Sequence, residues 1–423
     1  MFDKTKKKIA LAAIPFTLAG IVLAGCTATS VAASDSSTGT TSASAASTSG
    51  VDAALTAEEV LAENADATTV TADEADSSTE TTVTLNGETA TIDGAGASAD
   101  GSTVTITAGG TYRLSGSLTG SVVVETPDDA VVTIILDGAE ITNAAGAALS
   151  VITADDVALV LQDGTENALS DADSYADDAE VNAALYSDAD LTISGEGSLT
   201  VQGNGNDGIT STDDLKILSG TITVTAADDG LRGKDSLTVE GGTVAVTAGG
   251  DGFTSDQTED AAQGYLWISA GEITVESAGD AFAAATDLVI TGGDISATSG
   301  GGATAELSAD ASAKALKGGV YVIVAGGTIQ ADAADDAIHS DGAVHISEGD
   351  VSVSTGDDGI HAEVALLIDG GTTTVTESTE GIESSAITIA GGTVDITASD
   401  DGLNASSGSG ESMQDSGETI TIS

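Results

Sequence analysis

A short acidic signature recurs through the second half of this chain at nearly constant spacing, and a fixed period strongly limits how a chain can fold. It reads Asn206-Asp207-Gly208-Ile209, then Asp228-Asp229-Gly230-Leu231, then Gly250-Asp251-Gly252-Phe253. It returns as Asp335-Asp336-Ala337-Ile338, Asp357-Asp358-Gly359-Ile360, Thr379-Glu380-Gly381-Ile382 and Asp400-Asp401-Gly402-Leu403. Asp207, Asp229 and Asp251 are 22 residues apart, as are Asp336, Asp358 and Glu380, and Asp401 follows 21 later. Between the two runs, Gly279-Asp280-Ala281-Phe282 is a weaker copy. Glycine pairs keep step: Gly241-Gly242, Gly292-Gly293, Gly326-Gly327, Gly370-Gly371 and Gly391-Gly392, each flanked by short alternating apolar runs. A period of this length with two or three short strands per unit is a solenoid. The Leu-x-x-Leu-x-Leu pattern of leucine-rich repeats and the nine-residue period of calcium-binding nonapeptide repeats are both absent.

The expected fold is all-β: a single-stranded right-handed parallel β-helix with coils of about 22 residues. Leu237 and Val239, Leu266 and Ile268, Leu288 and Ile290, Val322 and Val324, Val344 and Ile346, Leu366 and Ile368, and Ile387 and Ile389 should stack in inward columns. Residues 255–264 lengthen one loop, and residues 303–317 are expected to form a short surface helix. Acidity on this scale often signals disorder, but 40% hydrophobic residues, 53 glycines and only 2 prolines fit an ordered, turn-rich β protein.

The first 25 residues read as a leader. Lys4, Lys6, Lys7 and Lys8 precede an apolar run that is too short for a membrane span. The run ends in Leu23-Ala24-Gly25-Cys26-Thr27, which resembles the lipobox of bacterial lipoproteins. Cys26, the sole cysteine, is therefore the expected lipidation site, so no disulfide forms within the chain and the protein sits outside the cell on a membrane anchor. Residues 26–80, rich in Ser, Thr and Ala, are expected to be a flexible linker with little more than a short helix near 53–65, and 81–423 the β-helix. The chain stops in a strand at Thr419-Ile420-Thr421-Ile422-Ser423 without a capping segment, so the natural protein is expected to be longer. The net charge of −58 excludes nucleic acid and anionic lipid surfaces as partners.

In a solenoid, residues one period apart lie above one another. Unit charges about 4.8 Å apart repel by about 1 kcal/mol in water and by roughly 3–4 kcal/mol at an effective dielectric of 20. Asp207, Asp229 and Asp251, and likewise Asp336, Asp358, Glu380 and Asp401, with the preceding acids Asp228, Asp335, Asp357 and Asp400, thus form a row that calls for a cation. Ca2+, which takes 6–8 oxygen ligands from flexible acidic turns, is the expected one. The alternative is that Asp-Asp-Gly only makes solvated turns. Three residues further lies a second column: Thr210, Arg232, Thr254, His339, His361, Glu383 and Asn404. His339 and His361 are either ligand-binding neighbours or plain surface polar groups. Arg232 and Lys234 either pair with Asp228 and Asp229 or contact a uronate carboxylate. Tyr265 and Trp267 flank inward residues and should face out, either to stack on sugar or to pack under the 303–317 insertion. Val289, Ile323 and Leu367 share their outward column and favour packing.

The stretch from Leu191 to Asn404 resembles the carbohydrate-binding domain proteins related to β-helical pectate lyases. The resemblance rests on Asn206 to Ile209 with Asp213-Asp214-Leu215-Lys216-Ile217, on Ala227 to Asp235 and on Gly249 to Ser255. It extends upstream through Leu136-Asp137-Gly138 and Leu161-Gln162-Asp163-Gly164. It implies a right-handed parallel β-helix, bound calcium at Asp207, Asp229 and Asp251, and affinity for plant-type or acidic polysaccharide. Three functions are then in play: a calcium-dependent polysaccharide-binding surface protein, a polysaccharide lyase with Arg232 or Lys234 as base, and a structural or adhesive protein without a glycan ligand.

Overall fold

In the computed structural model, which describes residues 50–71, 80–176, 178–308, 311–406 and 417–423, the chain winds into a parallel β-helix. One coil holds the strands Asp207–Ser211, Asp214–Ile217 and Thr221–Ala226, and the next holds Leu231–Gly233, Ser236–Val239 and Thr243–Ala248. In these coils each strand pairs in parallel and in register with its counterpart one coil on, Ile209 with Leu231, Leu215 with Leu237 and Ile222 with Val244. Bulges shift the register locally elsewhere, as at Ala325 and after Val353. Two antiparallel pairings, Thr82 with Asp93 and Ala97 with Ile106, close the N-terminal end. The leader and Cys26 lie outside the described residues.

Alternation along each short strand turns every second side chain inward, and the fixed register stacks those residues. The expected columns form. Leu237, Leu266, Leu288, Val322, Val344, Leu366 and Ile387 stand above one another, each at most 1% exposed. Phe253 and Phe282 stack in adjacent coils with ring centroids 4.8 Å apart. Each such side chain contributes roughly 1.5–3 kcal/mol relative to leaving it in water. Packing between coils also explains the glycine after the acid. A Cβ on Gly230 would lie 2.3 Å from Val246 Cγ1 and 2.6 Å from the Gly252 carbonyl oxygen.

Two expectations change. The 303–317 insertion contains no helix among its described residues; it runs through turns and re-enters the solenoid as the strand Leu316–Gly318. Within the expected linker, residues 50–71 form a strap that lies along the outside of the β-helix. Its one helix, α1 (Ala57–Glu63), starts at a capping box: Glu59 N–H donates to Thr56 Oγ1 at 3.3 Å, and Thr56 N–H donates to Glu59 Oε2 at 3.0 Å. The helix turns Ala57 and Val60 onto Val289 and Ile323, with Leu55, Leu61, Trp267 and Tyr321 around them. The outward apolar column is therefore covered, but by the N-terminal segment and not by the 303–317 insertion. Polar contacts continue along the strap: Leu55 carbonyl with His345 Nδ1 at 2.8 Å, Tyr265 OH donating to Ala65 O at 2.8 Å, Lys216 Nζ donating to Thr69 Oγ1 at 2.6 Å, and Val70 N–H donating to Thr192 Oγ1 at 2.9 Å. The segment orders because it hides apolar surface that the solenoid cannot hide itself.

Trp267 is the only tryptophan and reports on this contact. Val60→Asp is expected to place an uncompensated charge on Val289 and Ile323 and to weaken strap docking by more than about 2 kcal/mol. Acrylamide quenching of Trp267 fluorescence should rise several-fold while the far-ultraviolet circular dichroism of the β-helix stays unchanged.

Candidate functional site

The acids of the repeat occupy one corner of the solenoid, at the turn that enters the short-strand sheet. Backbone N–H donors of Gly208, Gly230 and Gly252 reach the carbonyls of Asp229, Asp251 and Asp280, which fixes the column coil by coil. Each second acid then receives the backbone N–H of the next: Asp229 N donates to Asp207 Oδ1 at 3.3 Å, Asp251 N to Asp229 Oδ1 at 2.8 Å, and Asp280 N to Asp251 Oδ1 at 2.7 Å. One carboxylate oxygen per coil is thus structural. The preceding acids Asp228, Asp357 and Asp400 are exposed, while Asp207, Asp336 and Asp358 are buried. Asp401, at the last coil, is exposed.

The sequence spacing conceals a lysine inside this column. Lys314 N–H donates to Asp280 Oδ1 at 2.7 Å, and Ala315 N–H donates to the Asp336 carbonyl, so Lys314 stands where the other coils carry an acid. Its ammonium lies 2.6 Å from Asp335 Oδ2 and 3.0 Å from Asp336 Oδ2. Lys317 reaches back to Asp280 Oδ2 at 2.7 Å. The row is therefore divided. Below the lysines, burial pushes Asp207, Asp229 and Asp251 up to about 6 each, with neighbouring acids adding to it. Above them, burial also acts on Asp336, but the His339 hydrogen bond and the Lys314 charge outweigh it and bring Asp336 down to about 2. His339, against its own burial, is raised to about 9 by Asp336 and Asp341. Asp358 is pushed up by burial and by Asp336.

The lower run fits a hard cation. Its donors are all oxygens and burial makes their charge costly, and the cation of the outward column there, Arg232, is turned onto Asp256. Thr210 Oγ1 donates to Asp207 Oδ2 at 2.9 Å, whereas Thr254 Oγ1, two coils on in the same outward column, is buried with no partner. Asp207 and Asp251 stand two coils apart, about 9.6 Å at about 4.8 Å per coil, so an ion would be held by adjacent rungs, Asp207 with Asp228 and Asp229 or Asp229 with Asp251 and the Thr254 hydroxyl. Among the described residues, the groups of three acids or histidines with donor atoms within 4.8 Å of one another all lie in the upper half.

The remaining sequence candidates separate. Arg232 does not pair with Asp228 or Asp229; it forks onto Asp256, at 2.9 and 2.8 Å from NH2 to the two carboxylate oxygens, because the 255–264 loop brings that acid over it. Lys234 is half-buried in the turn after Arg232. Tyr265 offers no sugar platform: it is 3% exposed, lies under the strap, and burial pushes its phenol up to about 12. Trp267 is half-buried at the strap edge and donates from Nε1 to Thr291 Oγ1 at 3.1 Å. His339 and His361 are stacked neighbours, with ring centroids 4.9 Å apart. Glu380 and Glu383 lie with Asp358. A second acidic corner was not singled out from sequence. Asp190, Asp213, Asp214 and Asp235 gather there, and Asp213 is pushed up by burial, Asp190 and Asp235. Gln257 and Gln263 of the inserted loop donate to Asp235 at 3.1 and 2.7 Å. The aspartates at 190 and 214, and at 213 and 235, recur at 24- and 22-residue spacing and were the available signal.

The chain is thus an all-β protein of the parallel β-helix class with a ladder of half-buried to buried acids along one corner. The chain belongs to the carbohydrate-binding domain-containing protein family, whose model matches residues 100–359. A carbohydrate-binding domain-containing protein of Acetivibrio thermocellus is 41% identical over 128 residues, covering 29% of this chain and 45% of that protein, so the chain spans less than half of that relative. A solved structure described as a polysaccharide lyase-like protein from C. thermocellum, gadolinium derivative, aligns with a TM-score of 0.52 and 30% identity over 64% of this chain and all of that one.

The lower ladder sets a pH signature. Carboxyls whose folded values stand near 6 against an ordinary 3.8 bind protons more tightly in the native state. Their contribution favours folding in acid and is lost as pH rises from about 4 through 6. Without divalent cation the melting temperature should therefore fall across that window, and millimolar Ca2+ at pH 7 should restore several degrees, read by differential scanning calorimetry.

Proposed function

We propose that this protein binds acidic polysaccharide through Ca2+ held in the Asp207–Asp229–Asp251 ladder. The observation that carries this reading is a row of half-buried to buried carboxylates, one per coil, each of which spends one oxygen on the backbone N–H of the next coil, while Asp207 also accepts from Thr210 on its second oxygen. Calcium seated there retains open coordination positions, because Ca2+ takes 6–8 oxygens and the ladder supplies only part of them. Uronate carboxylates and ring hydroxyls are the matching donors. The family and the polysaccharide lyase-like neighbour support a glycan partner. A leader ending at Cys26 supports an extracellular, lipid-anchored setting for the glycan, and no helix of the described residues is long and apolar enough to cross a membrane.

A lyase is the second reading, favoured by the neighbour's description. β-Elimination needs a base beside a cation-neutralised uronate. Arg232, one of two candidates, is committed to Asp256, which disfavours it. Incubation with polygalacturonate and Ca2+ should give no rise in ultraviolet absorbance from unsaturated product.

Pull-down on pectin, with and without chelator, tests the main reading. Retention should require Ca2+, and Asp229→Asn should weaken both Ca2+ affinity and pectin retention at least tenfold. Retention that is equal in chelator and unchanged in Asp229→Asn overturns it.

A further inference from the structure

We propose that the upper half of the same corner holds a separate site for a transition-metal ion of the Zn2+ class, with His339 Nδ1, His361 Nδ1 and Asp336 Oδ2 as ligands. Asp336 and His339 come from one coil and His361 from the next, and their donor atoms lie within 4.8 Å of one another. His339 Nδ1 is 2.7 Å from Asp336 Oδ2, and His361 Nδ1 is 3.7 Å from the same oxygen. Tetrahedral ligands at about 2.0–2.1 Å from Zn2+ stand roughly 3.3 Å apart, so the two distances bracket the required separation. Asp358 Oδ2 lies 3.5 Å from His361 Nδ1 but outside the group of three donors, so the fourth position falls to solvent or an exogenous ligand. Imidazole nitrogens select this class of ion over Ca2+, which prefers oxygen alone.

A second set of contacts points the same way. A metal-bound imidazole is typically oriented by a carboxylate on its other nitrogen. His339 Nε2 lies 3.1 Å from Asp341 Oδ1, and His361 Nε2 lies 3.9 Å from Glu363 Oε1. The motif Asp336-x-x-His339-x-Asp341 thus repeats as Asp358-x-x-His361-x-Glu363 one coil later, with His339 and His361 in register. Both rings direct Nδ1 to one buried oxygen and Nε2 to an outer acid. The metal must displace both the proton that His339 Nδ1 shares with Asp336 and the Lys314 ammonium, which sits 3.0 Å from Asp336 Oδ2 and keeps Asp335 at 2.6 Å. The site does not depend on calcium in the lower ladder.

Titration calorimetry of the full chain with ZnCl2, in excess Ca2+ to fill all-oxygen sites, should give about one equivalent of tight binding. His361→Gln and His339→Gln should each weaken it at least tenfold, and Lys314→Met should strengthen it several-fold. Calcium affinity measured on the same variants should change less than twofold, which separates loss of this site from misfolding and from failure of the calcium proposal. Co2+ added to the unaltered protein should give the intense visible absorption of low-coordinate nitrogen ligation. Absence of Zn2+ binding, binding equal in the His339→Gln/His361→Gln double variant, or a weak octahedral Co2+ spectrum overturns the proposal.

Discussion

Coil-to-coil register is the constraint on which the rest of this molecule depends. Every short strand hydrogen-bonds its counterpart one coil on, and the pairing of Leu215 with Leu237, Leu266 and Leu288 leaves no slippage along the axis. Once register is fixed, a property that a single residue has in one coil becomes a property of a column. Apolar positions become a continuous core. Acidic positions become a ladder whose charges must be satisfied by backbone N–H donors, lysines, protons or ions. Slipping one strand by a residue would turn Leu237 outward and Thr238 inward and forfeit both columns together.

The same rule creates the strap. An outward column of Trp267, Val289 and Ile323 is a liability that repetition reinforces, since each coil adds apolar surface to the same stripe. Covering it requires a segment running along the axis and across the coils, which no strand of the solenoid can do. The N-terminal segment does so with one helical turn pair over the apolar stretch and extended chain over the polar stretch, where Lys216 and Asp214 take its carbonyl and N–H groups. Lys216 is buried there, with Glu240 at 3.3 Å as its counter-ion.

Much of this is written in the sequence, and what is not has identifiable reasons. Integer spacing and strict alternation expose the inward columns, because each depends only on residues a fixed number apart. The 303–317 insertion breaks the count: 34 residues separate Asp280 from Lys314, and the residue at the acid position carries the opposite charge. The period therefore fails to locate it. The strap was obscured for another reason. Thr56-Ala57-Glu58-Glu59 ahead of Val60 and Leu61 is a legible helix start, and the outward stripe is legible as surface in need of a cover. Joining them spans more than two hundred residues, and no periodicity links the two. Tyr265 and Trp267 were read correctly as outward-facing, but facing out of a strand is not the same as facing solvent.

The position of Lys314 shows how one backbone arrangement supports two kinds of ionic site. An uninterrupted column of half-buried acids would accumulate repulsion with every coil, at roughly 3–4 kcal/mol per neighbour for an effective dielectric of 20. The two lysines of this stretch offset charge on both sides, Lys314 at Asp335 and Asp336 and Lys317 at Asp280. The coils then differ by the residue three positions beyond the acid. Thr210 and Thr254 bring hydroxyl oxygens to the lower coils, with Arg232 between them drawn off onto Asp256, while His339 and His361 bring nitrogen to the upper ones. Ion chemistry along the corner is thus set by side chains in the outward column, and the acid ladder beneath supplies the same scaffold to each.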